Sequence, residues 1–149
     1  MFNKNSTNDY LERILIIHKR KGFVRSVDLA RELGVTKPTV CDAVKRLRDR
    51  WLIDVADKGH IILTEDGRAI AEKVYNKHQF LKKSLTRIGV NEITADKDAS
   101  MIEHVISEET YKCLVTHFKH VIRRADNVKR SIEFSEEGHV VGISRQGDL

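Results

Sequence analysis

The sequence predicts a mainly α-helical fold, in which an N-terminal winged helix-turn-helix is followed by an all-helical domain. Three amphipathic segments, interrupted at Gly22 and Gly34, precede two short apolar runs around Asp57-Lys58-Gly59. The order helix, helix, helix, hairpin is typical of a winged helix-turn-helix. The chain beyond residue 64 has apolar residues mainly at helical spacing, which predicts that the second domain is helical.

Helical spacing of apolar residues defines the three helices of the predicted head. They are expected at residues 9–20, 27–33 and 39–51. Ser6 or Thr7 is a candidate cap for the first helix and Ser26 for the second, because a hydroxyl can accept from the unpaired N–H groups of a first turn. Pro38 is expected in the first turn of the third helix, where its missing N–H has no helical partner. The buried side of that helix should comprise Val40, Val44 and Leu47.

The wing and the second domain follow directly. The wing strands are expected at 52–55 and 60–63, and Thr64 should cap a long helix from about 66 to 88. The buried side of this long helix is expected to hold Ala69, Ile70, Val74, Phe80, Leu81 and Leu85. Two more helices are expected at 94–107 and 107–122. We divide the chain into a head at 1–68, a helical domain at 69–122 and a loosely ordered tail at 123–149, in which 140–143 could add a strand.

Composition narrows the class of protein. The chain has 149 residues, 40% hydrophobic and 33% charged, as in a globular protein. No apolar run approaches the roughly 20 residues of a membrane span, and the first residues lack the apolar core of a signal peptide, so a cytoplasmic location is expected. Cys41 and Cys113 lie far apart, which argues against a disulfide framework or a zinc knuckle. We expect both to be buried or half-buried free thiols.

Positive charge is concentrated in the predicted head. Residues 1–50 contain 12 Lys and Arg against 6 Asp and Glu, whereas residues 71–149 contain 13 against 12. A basic head beside a near-neutral body suits a polyanionic partner. Since a helix-turn-helix presents its second helix to the major groove, double-stranded DNA is the expected partner.

The candidate DNA-binding residues lie on the third helix and beside it. Thr36, Thr39 and Asp42 are placed for base edges, and Lys37, Lys45 and Arg25 for phosphates. Asp42 could accept from a cytosine amino group or pair with Lys45 or Arg46. The full predicted set is Arg25, Thr36, Lys37, Pro38, Thr39, Asp42, Lys45, Arg46 and, at the wing tip, Lys58. For any single residue, a solvated helix face is the alternative explanation.

Carboxylates and imidazoles form a second candidate site. Asp9 and Glu12 share one face of the first helix, His78 lies within the long helix, and Glu103 and His104 lie on the next. Oxygen and nitrogen ligands without thiolate suit Mn²⁺ or Fe²⁺. Acids in a first helical turn also favour the macrodipole without a metal, and a lone His is commonly a surface or core residue. Spacing alone leaves both explanations open.

The chain resembles the diphtheria-toxin-repressor and manganese-transport-regulator family of metal-dependent repressors, in its short, two-domain form. The resemblance runs from about Thr7 to Phe118. Its carriers are Asp9-Tyr10-Leu11-Glu12, Thr36-x-Pro38-Thr39-Val40, Leu63-Thr64-x-x-Gly67, Lys77-His78, Ile88-Gly89-Val90 and Ile102-Glu103-His104-Val105-Ile106-Ser107. It implies a homodimer, a helical dimerisation and metal-binding domain, and metal ligands at Asp9, Glu12, His78, Glu103 and His104. Asp at the first of these is similar to the manganese branch.

Two positions depart from the family pattern. Ser100 stands where the family has a Cys or Glu ligand, and a hydroxyl is a poor substitute. Lys82 stands where the family often has an acid, and a positive charge there argues against a second metal close to His78. We therefore expect a weaker site, a single metal, or a site completed by water or a backbone carbonyl.

The resemblance implies a metal-dependent repressor of metal-uptake genes that uses Mn²⁺ or Fe²⁺ and binds a palindromic operator as a homodimer. Ser100 and Lys82 favour one rival: a winged-helix regulator that has lost its metal switch and binds DNA constitutively or with another effector. A second rival is a metal-assisted hydrolase. It lacks support because the sequence has no Gly-rich loop and no nucleophile motif, so we expect no enzymatic activity.

Overall fold

A computed structural model describes residues 7–121 of the chain. Its elements are α1 (Thr7–Lys21), α2 (Ser26–Leu33), α3 (Lys37–Asp49), β1 (Ile53–Ala56), β2 (His60–Leu63), α4 (Glu65–Arg87), α5 (Glu92–Val105) and α6 (108–121, where the description ends). The chain forms two compact units that divide after Val105. The predicted fold class is confirmed: a winged helix-turn-helix followed by helices. The predicted domain boundaries at 68 and 122 stay a prediction.

Helix α1 is the central element of the head. It buries a broad apolar side, because its apolar residues repeat at spacings of three and four. Leu11, Leu15 and Ile17 are fully buried, and they pack in one core with Leu29 of α2 and Val40 of α3. The predicted cap at Thr7 lies at the first residue of α1, whereas Ser6 lies outside the described residues.

Helices α2 and α3 differ slightly from their predicted starts and ends. Helix α2 already begins at Ser26, so Ser26 is not its cap; instead the Asp28 carboxylate accepts from the backbone N–H of Arg25 at 3.0 Å. Pro38 lies in the first turn of α3 as predicted, and Thr36 caps this helix. Helix α3 ends two residues before its predicted end at Trp51, because Trp51 adopts a left-handed φ of 57° that turns the chain into the wing.

The wing is a two-stranded antiparallel hairpin. Ile53 pairs with Leu63 and Ala56 with His60, so both strands lie within one residue of the prediction. Lys58 sits in the connecting turn with a φ of 65°, which places this cation at the tip. Inside the hairpin, Ile53 and Ile61 are buried and anchor the wing to the head.

Helix α4 is fixed to the head at its first turn. The Thr64 hydroxyl accepts from the Gly67 N–H at 3.1 Å and donates to the Trp51 carbonyl at 2.8 Å. Gly67 lies directly against the chain at Leu52: a Cβ at Gly67 would be 1.8 Å from the Leu52 carbonyl oxygen. Only glycine allows α4 to approach the backbone before the wing this closely. The first turn of α4 is therefore in close contact with the head at Trp51 and Leu52.

Several buried-face predictions need correction. The buried side of α4 contains Ala71, Lys77, His78, Leu81 and Ser84, whereas Ala69 is exposed. The prediction was wrong at Ala69 because several residues on the buried side of α4 are polar. The spacing of apolar residues does not reveal such positions. Both free cysteines, Cys41 and Cys113, are exposed and not buried, because each lies on the polar side of its helix.

The remaining helices are close to their predicted positions. Helix α5 spans Glu92–Val105 and begins two residues before its predicted start. The predicted tail and the candidate strand at 140–143 lie outside the described residues. Among residues 7–121, no helix is both long and apolar enough to cross a membrane.

Replacing Gly67 with Ala tests the close approach of α4 to Leu52. In an open helix this change stabilises by about 1 kcal/mol, because Ala is the better helix former. Here the added methyl would collide with a backbone carbonyl, so we expect the free energy of unfolding to fall by roughly 1–3 kcal/mol. Urea unfolding followed by circular dichroism measures this difference. Unchanged or increased stability would show that the contact is not tight.

Candidate metal centre and nucleic-acid interface

Side chains from α1, α4 and α5 converge on the Glu103 carboxylate. Asp9 and His104 offer ligand atoms on one side of Glu103, and Glu12 and His78 on the other. Within each group of three, the ligand atoms lie within 4.8 Å of one another. The structure thus brings together the five side chains that the family resemblance implies as metal ligands. They form two triads that share Glu103.

Short contacts define the geometry of the two triads. His78 Nδ1 lies 3.0 Å from Glu103 Oε2, and His104 Nε2 lies 3.4 Å from Glu103 Oε1. The other partner of His104 Nε2 is Asp9 Oδ1, at 3.0 Å. Glu103 therefore uses one oxygen toward each imidazole. Its side chain is only 3% exposed, so this carboxylate is withdrawn from solvent on both sides.

The surroundings of Glu12 and His78 raise the pKa of each group. The pKa of Glu12 is raised to about 7, first by loss of solvation and then by the negative charge of Glu103. The pKa of His78 is raised, chiefly because its ring donates to the Glu103 carboxylate. At neutral pH the metal-free cluster therefore retains protons that a cation would have to displace.

Sequence reasoning missed one carboxylate of this cluster. Asp96 Oδ1 lies 3.3 Å from His78 Nε2 and 3.0 Å from Lys82 Nζ. Lys82 also contacts Glu92 at 3.4 Å, so its charge is paired with two acids. The pKa of Asp96 is lowered, first by its hydrogen bond from Lys82. Asp96 precedes Glu103 by seven residues, and this two-turn spacing on one helix face was the available sequence signal.

The donor set fits a divalent cation with hard or borderline character. It consists of three carboxylates and two imidazoles without a thiolate, and Glu12, His78 and Glu103 are buried. Buried acids that face one another are unfavourable unless protonated or offset by positive charge. Ser100, the doubtful sixth ligand, is exposed on α5 one turn before Glu103.

Helix α1 links this cluster to the recognition helix. Asp9 and Glu12 lie on α1, and Tyr10 between them is only 1% exposed because it packs in the core of the head. At the start of α1, the Thr7 hydroxyl accepts from Arg50 Nη1 at 2.9 Å. Arg50 follows the last residue of α3. A change in the position of α1 would therefore act on both the cluster and α3.

The proposed DNA-contacting residues of α3 lie on its solvent side. Thr36 Oγ1 accepts from the Thr39 N–H at 3.4 Å, and the two hydroxyls are 2.8 Å apart. These hydroxyls therefore stabilise the first turn of the helix as well as facing solvent. The remaining candidates on α3 are all exposed, namely Lys37, Pro38, Asp42, Lys45 and Arg46.

The other two candidates flank α3. Lys58 is exposed at the tip of the wing. Arg25 is exposed, lies 5.4 Å from the centre of the Phe23 ring and reaches His60 of the wing at 3.5 Å. Phe23 also stacks on His60. Arg25 therefore contacts the wing at His60, the first residue of β2 after the turn.

Two family models match successive parts of the chain. Residues 4–61 match "Iron dependent repressor, N-terminal DNA binding domain". Residues 64–127 match "Iron dependent repressor, metal binding and dimerisation domain". The join falls at Thr64, the residue that caps α4 and ties it to the head.

Two bacterial regulators illustrate the similarity in sequence. The chain is 37% identical over 103 residues to the transcriptional regulator MntR of Escherichia coli O157:H7, covering 69% of this chain and 66% of that relative. It therefore spans just under two thirds of that relative. It is 31% identical over 137 residues to the HTH-type transcriptional regulator MntR of Geobacillus thermodenitrificans, covering 89% of this chain and 96% of the relative.

Solved structures share the fold. The crystal structure of T. acidophilum IdeR is 27% identical, with a TM-score of 0.70, over 80% of this chain and 55% of that one. A manganese-dependent transcriptional repressor in complex with manganese is 24% identical, with a TM-score of 0.68, over 75% of this chain and 52% of that one. The second similarity shows the fold alone.

Replacing Glu12 with Gln tests how much the buried charge of Glu12 lowers the free energy of unfolding of the metal-free protein. The Glu12 carboxyl binds its proton more tightly in the folded protein, at a pKa of about 7, than at its ordinary value of 4.5. The unfolded chain therefore loses this proton first, and the free energy of unfolding falls as pH rises from about 5 to 7.5. The neutral amide should remove this fall and make the metal-free protein more stable at pH 7.5 by roughly 1–2 kcal/mol.

Chemical unfolding in a chelator at several pH values measures this effect. Glu72→Gln is the matched control, because the Glu72 side chain is 49% exposed and its change should alter stability by less than about 0.5 kcal/mol. A Glu12→Gln protein that is less stable than the wild type at pH 7.5 would contradict the predicted repulsion.

Proposed function

The chain belongs to the iron-dependent repressor family, and on that premise we propose that it is a DNA-binding transcriptional repressor controlled by Mn²⁺ or Fe²⁺. One observation carries the proposal. Glu103 joins two triads of metal-ligand type, and α1, which contributes an acid to each triad, also packs in the core of the DNA-binding head. The proposed targets are genes for metal uptake.

The proposed ligands are Asp9, Glu12, His78, Glu103 and His104. A bound divalent cation would supply the positive charge that offsets the three acids. Oxygen and nitrogen donors without thiolate favour Mn²⁺ or Fe²⁺ over a structural zinc site. Ser100 is not needed for either triad as the side chains stand.

The switch would act through α1. When Asp9 and Glu12 are held against α4 and α5, α1 is fixed relative to these helices. Tyr10 and the Thr7–Arg50 hydrogen bond then transmit this position to α3. Metal can favour the DNA-competent state only by binding it more tightly than the alternatives. A complete change from 1:99 to 99:1 would require a preference of about 5.5 kcal/mol.

The proposed partners are double-stranded DNA and a second copy of the chain. The exposed cations of α3 and Lys58 of the wing suit phosphates on either side of a major groove. Two symmetric heads would bind a palindromic operator. Helix α5 supports self-association, because Ile93 is 72% and Val105 62% exposed. Isolated exposed apolar residues are ordinary, but these lie in the part of the chain that matches a metal binding and dimerisation domain.

The rival explanations receive less support. The loss of a metal switch was suggested by Ser100 and Lys82, but Lys82 is paired with Asp96 and Glu92, so its charge is not directed at the cluster unopposed. The regulators that the chain resembles also argue against an enzyme. A cytoplasmic location follows as part of this proposal, because its partner is DNA.

Manganese-dependent DNA binding tests the proposal. A duplex selected by the wild-type protein from a random library in the presence of Mn²⁺ would serve as the probe. We expect Mn²⁺ to raise the affinity for this duplex by about 5- to 150-fold, the usual range of allosteric coupling. Glu103→Gln keeps the size of the side chain but removes the shared charge, so it should abolish the response. Fluorescence anisotropy with Mn²⁺ or chelator measures both.

Lys45→Ala provides the matched control for the DNA-binding face. This variant should weaken DNA binding and lower its dependence on salt while leaving Mn²⁺ binding intact. Equal affinity with Mn²⁺ and with chelator would contradict the metal switch. A full Mn²⁺ response in Glu103→Gln would contradict the assignment of Glu103 as the central ligand.

A further inference from the structure

His78, Asp96 and Lys82 form a short chain of polar contacts. Neither Asp96 nor Lys82 is among the proposed metal ligands. Asp96 Oδ1 of α5 lies 3.3 Å from His78 Nε2, and the same carboxylate oxygen lies 3.0 Å from Lys82 Nζ. His78 and Lys82 are four residues apart on α4, so both point toward the same place on α5. One Asp96 oxygen thus serves two side chains of α4.

The two nitrogens of His78 face different surroundings. Nδ1 lies 3.0 Å from Glu103 and faces the triad with Glu12. Nε2 faces Asp96. A neutral imidazole binds a metal only through the nitrogen that carries no proton. For Nδ1 to be a ligand, the remaining proton must lie on Nε2, where a carboxylate can accept it.

We propose that Asp96 is a positioning residue that holds the His78 proton on Nε2 and orients the ring, and that Lys82 keeps Asp96 in place. This inference rests on the proposed metal site. Histidine ligands of metals commonly donate their second N–H to a carboxylate, which fixes the tautomer and the ring plane. Lys82, whose charge seemed adverse to a metal from the sequence, then supports the site.

Asp96 needs its contact with Lys82 because burial does not hold the Asp96 side chain in place. Its side chain is 52% exposed, whereas that of His78 is 10% exposed. A half-exposed carboxylate otherwise exchanges among several rotamers and hydrogen bonds to water. The Lys82 side chain is 26% exposed and contacts Glu92 as well as Asp96. Lys82 therefore ties the carboxylate to α4 on the side where the His78 ring lies.

Two measurements on the same variants test the inference. The first is Mn²⁺ affinity, obtained from the electron paramagnetic resonance signal of free Mn²⁺. Asp96→Ala should lower this affinity by roughly 10- to 100-fold. Lys82→Met should lower it by a smaller factor, and Lys82→Arg should restore it. Glu92→Gln is the matched control, because Glu92 contacts Lys82 but not His78, and its affinity should stay within about twofold of wild type.

The second measurement reads the tautomer directly in the metal-free protein. The ¹⁵N chemical shifts of the His78 ring, followed to a pH at which the ring has become neutral, report which nitrogen holds the proton. In the metal-free protein Glu103 accepts at Nδ1 and Asp96 at Nε2, so wild type and Glu92→Gln should show both tautomers. Asp96→Ala should shift the proton to Nδ1, beside the remaining Glu103 carboxylate. A residue that merely stabilised the fold would leave these shifts unchanged, and circular dichroism would show whether each variant is folded.

The outcomes separate this inference from the proposed function. If the wild type does not bind Mn²⁺, the proposed function fails, and the nitrogen shifts alone decide whether Asp96 sets the tautomer. If the wild type binds Mn²⁺ and Asp96→Ala binds it equally well with an unchanged tautomer, the positioning role is overturned. Loss of affinity with an unchanged tautomer would likewise overturn it.

Discussion

The Glu103 carboxylate is the point on which the rest of the arrangement depends. Its two oxygens face different imidazoles, and the acids of α1 lie on either side. Buried acidic groups that face one another are unfavourable unless they retain protons or meet a cation, and the pKa of Glu12 is raised first by loss of solvation and then by the charge of Glu103. In the proposed mechanism, the position of α1 against α4 and α5 therefore depends on whether protons or a cation offset these charges.

The contact of α1 with α4 and α5 matters because α1 also belongs to the core of the head. Leu11 and Leu15 are fully buried against the other helices of the head, so α1 cannot change its position independently of them. The second connection, through Thr64 and Gly67, is a local backbone contact that involves no charged group. The head is thus joined to α4 by one contact that is independent of charge and one that depends on charge. A small shift of α1 can consequently be coupled to α3.

Much of this fold could be predicted from the sequence, because apolar periodicity, Pro38 and the turn around Lys58 are local signals. The five acidic and imidazole residues of the cluster were identified by family resemblance, since their helices are far apart in sequence. Asp96 was missed because its role depends on a contact between helices. The buried side of α4 was placed wrongly at Ala69, because its true buried side includes polar His78. The spacing of apolar residues does not reveal a buried side that contains polar residues.

The location of bound manganese tests the central claim most directly. Crystals of the protein grown with Mn²⁺ would be measured at the manganese absorption edge, where anomalous scattering locates the metal independently of any assumed site. We expect a peak beside the Glu103 carboxylate, within coordination distance of Glu12 and His78, of Asp9 and His104, or of both pairs. A protein that binds Mn²⁺ with its anomalous peak away from Glu103 would contradict the role of Glu103 as the shared ligand.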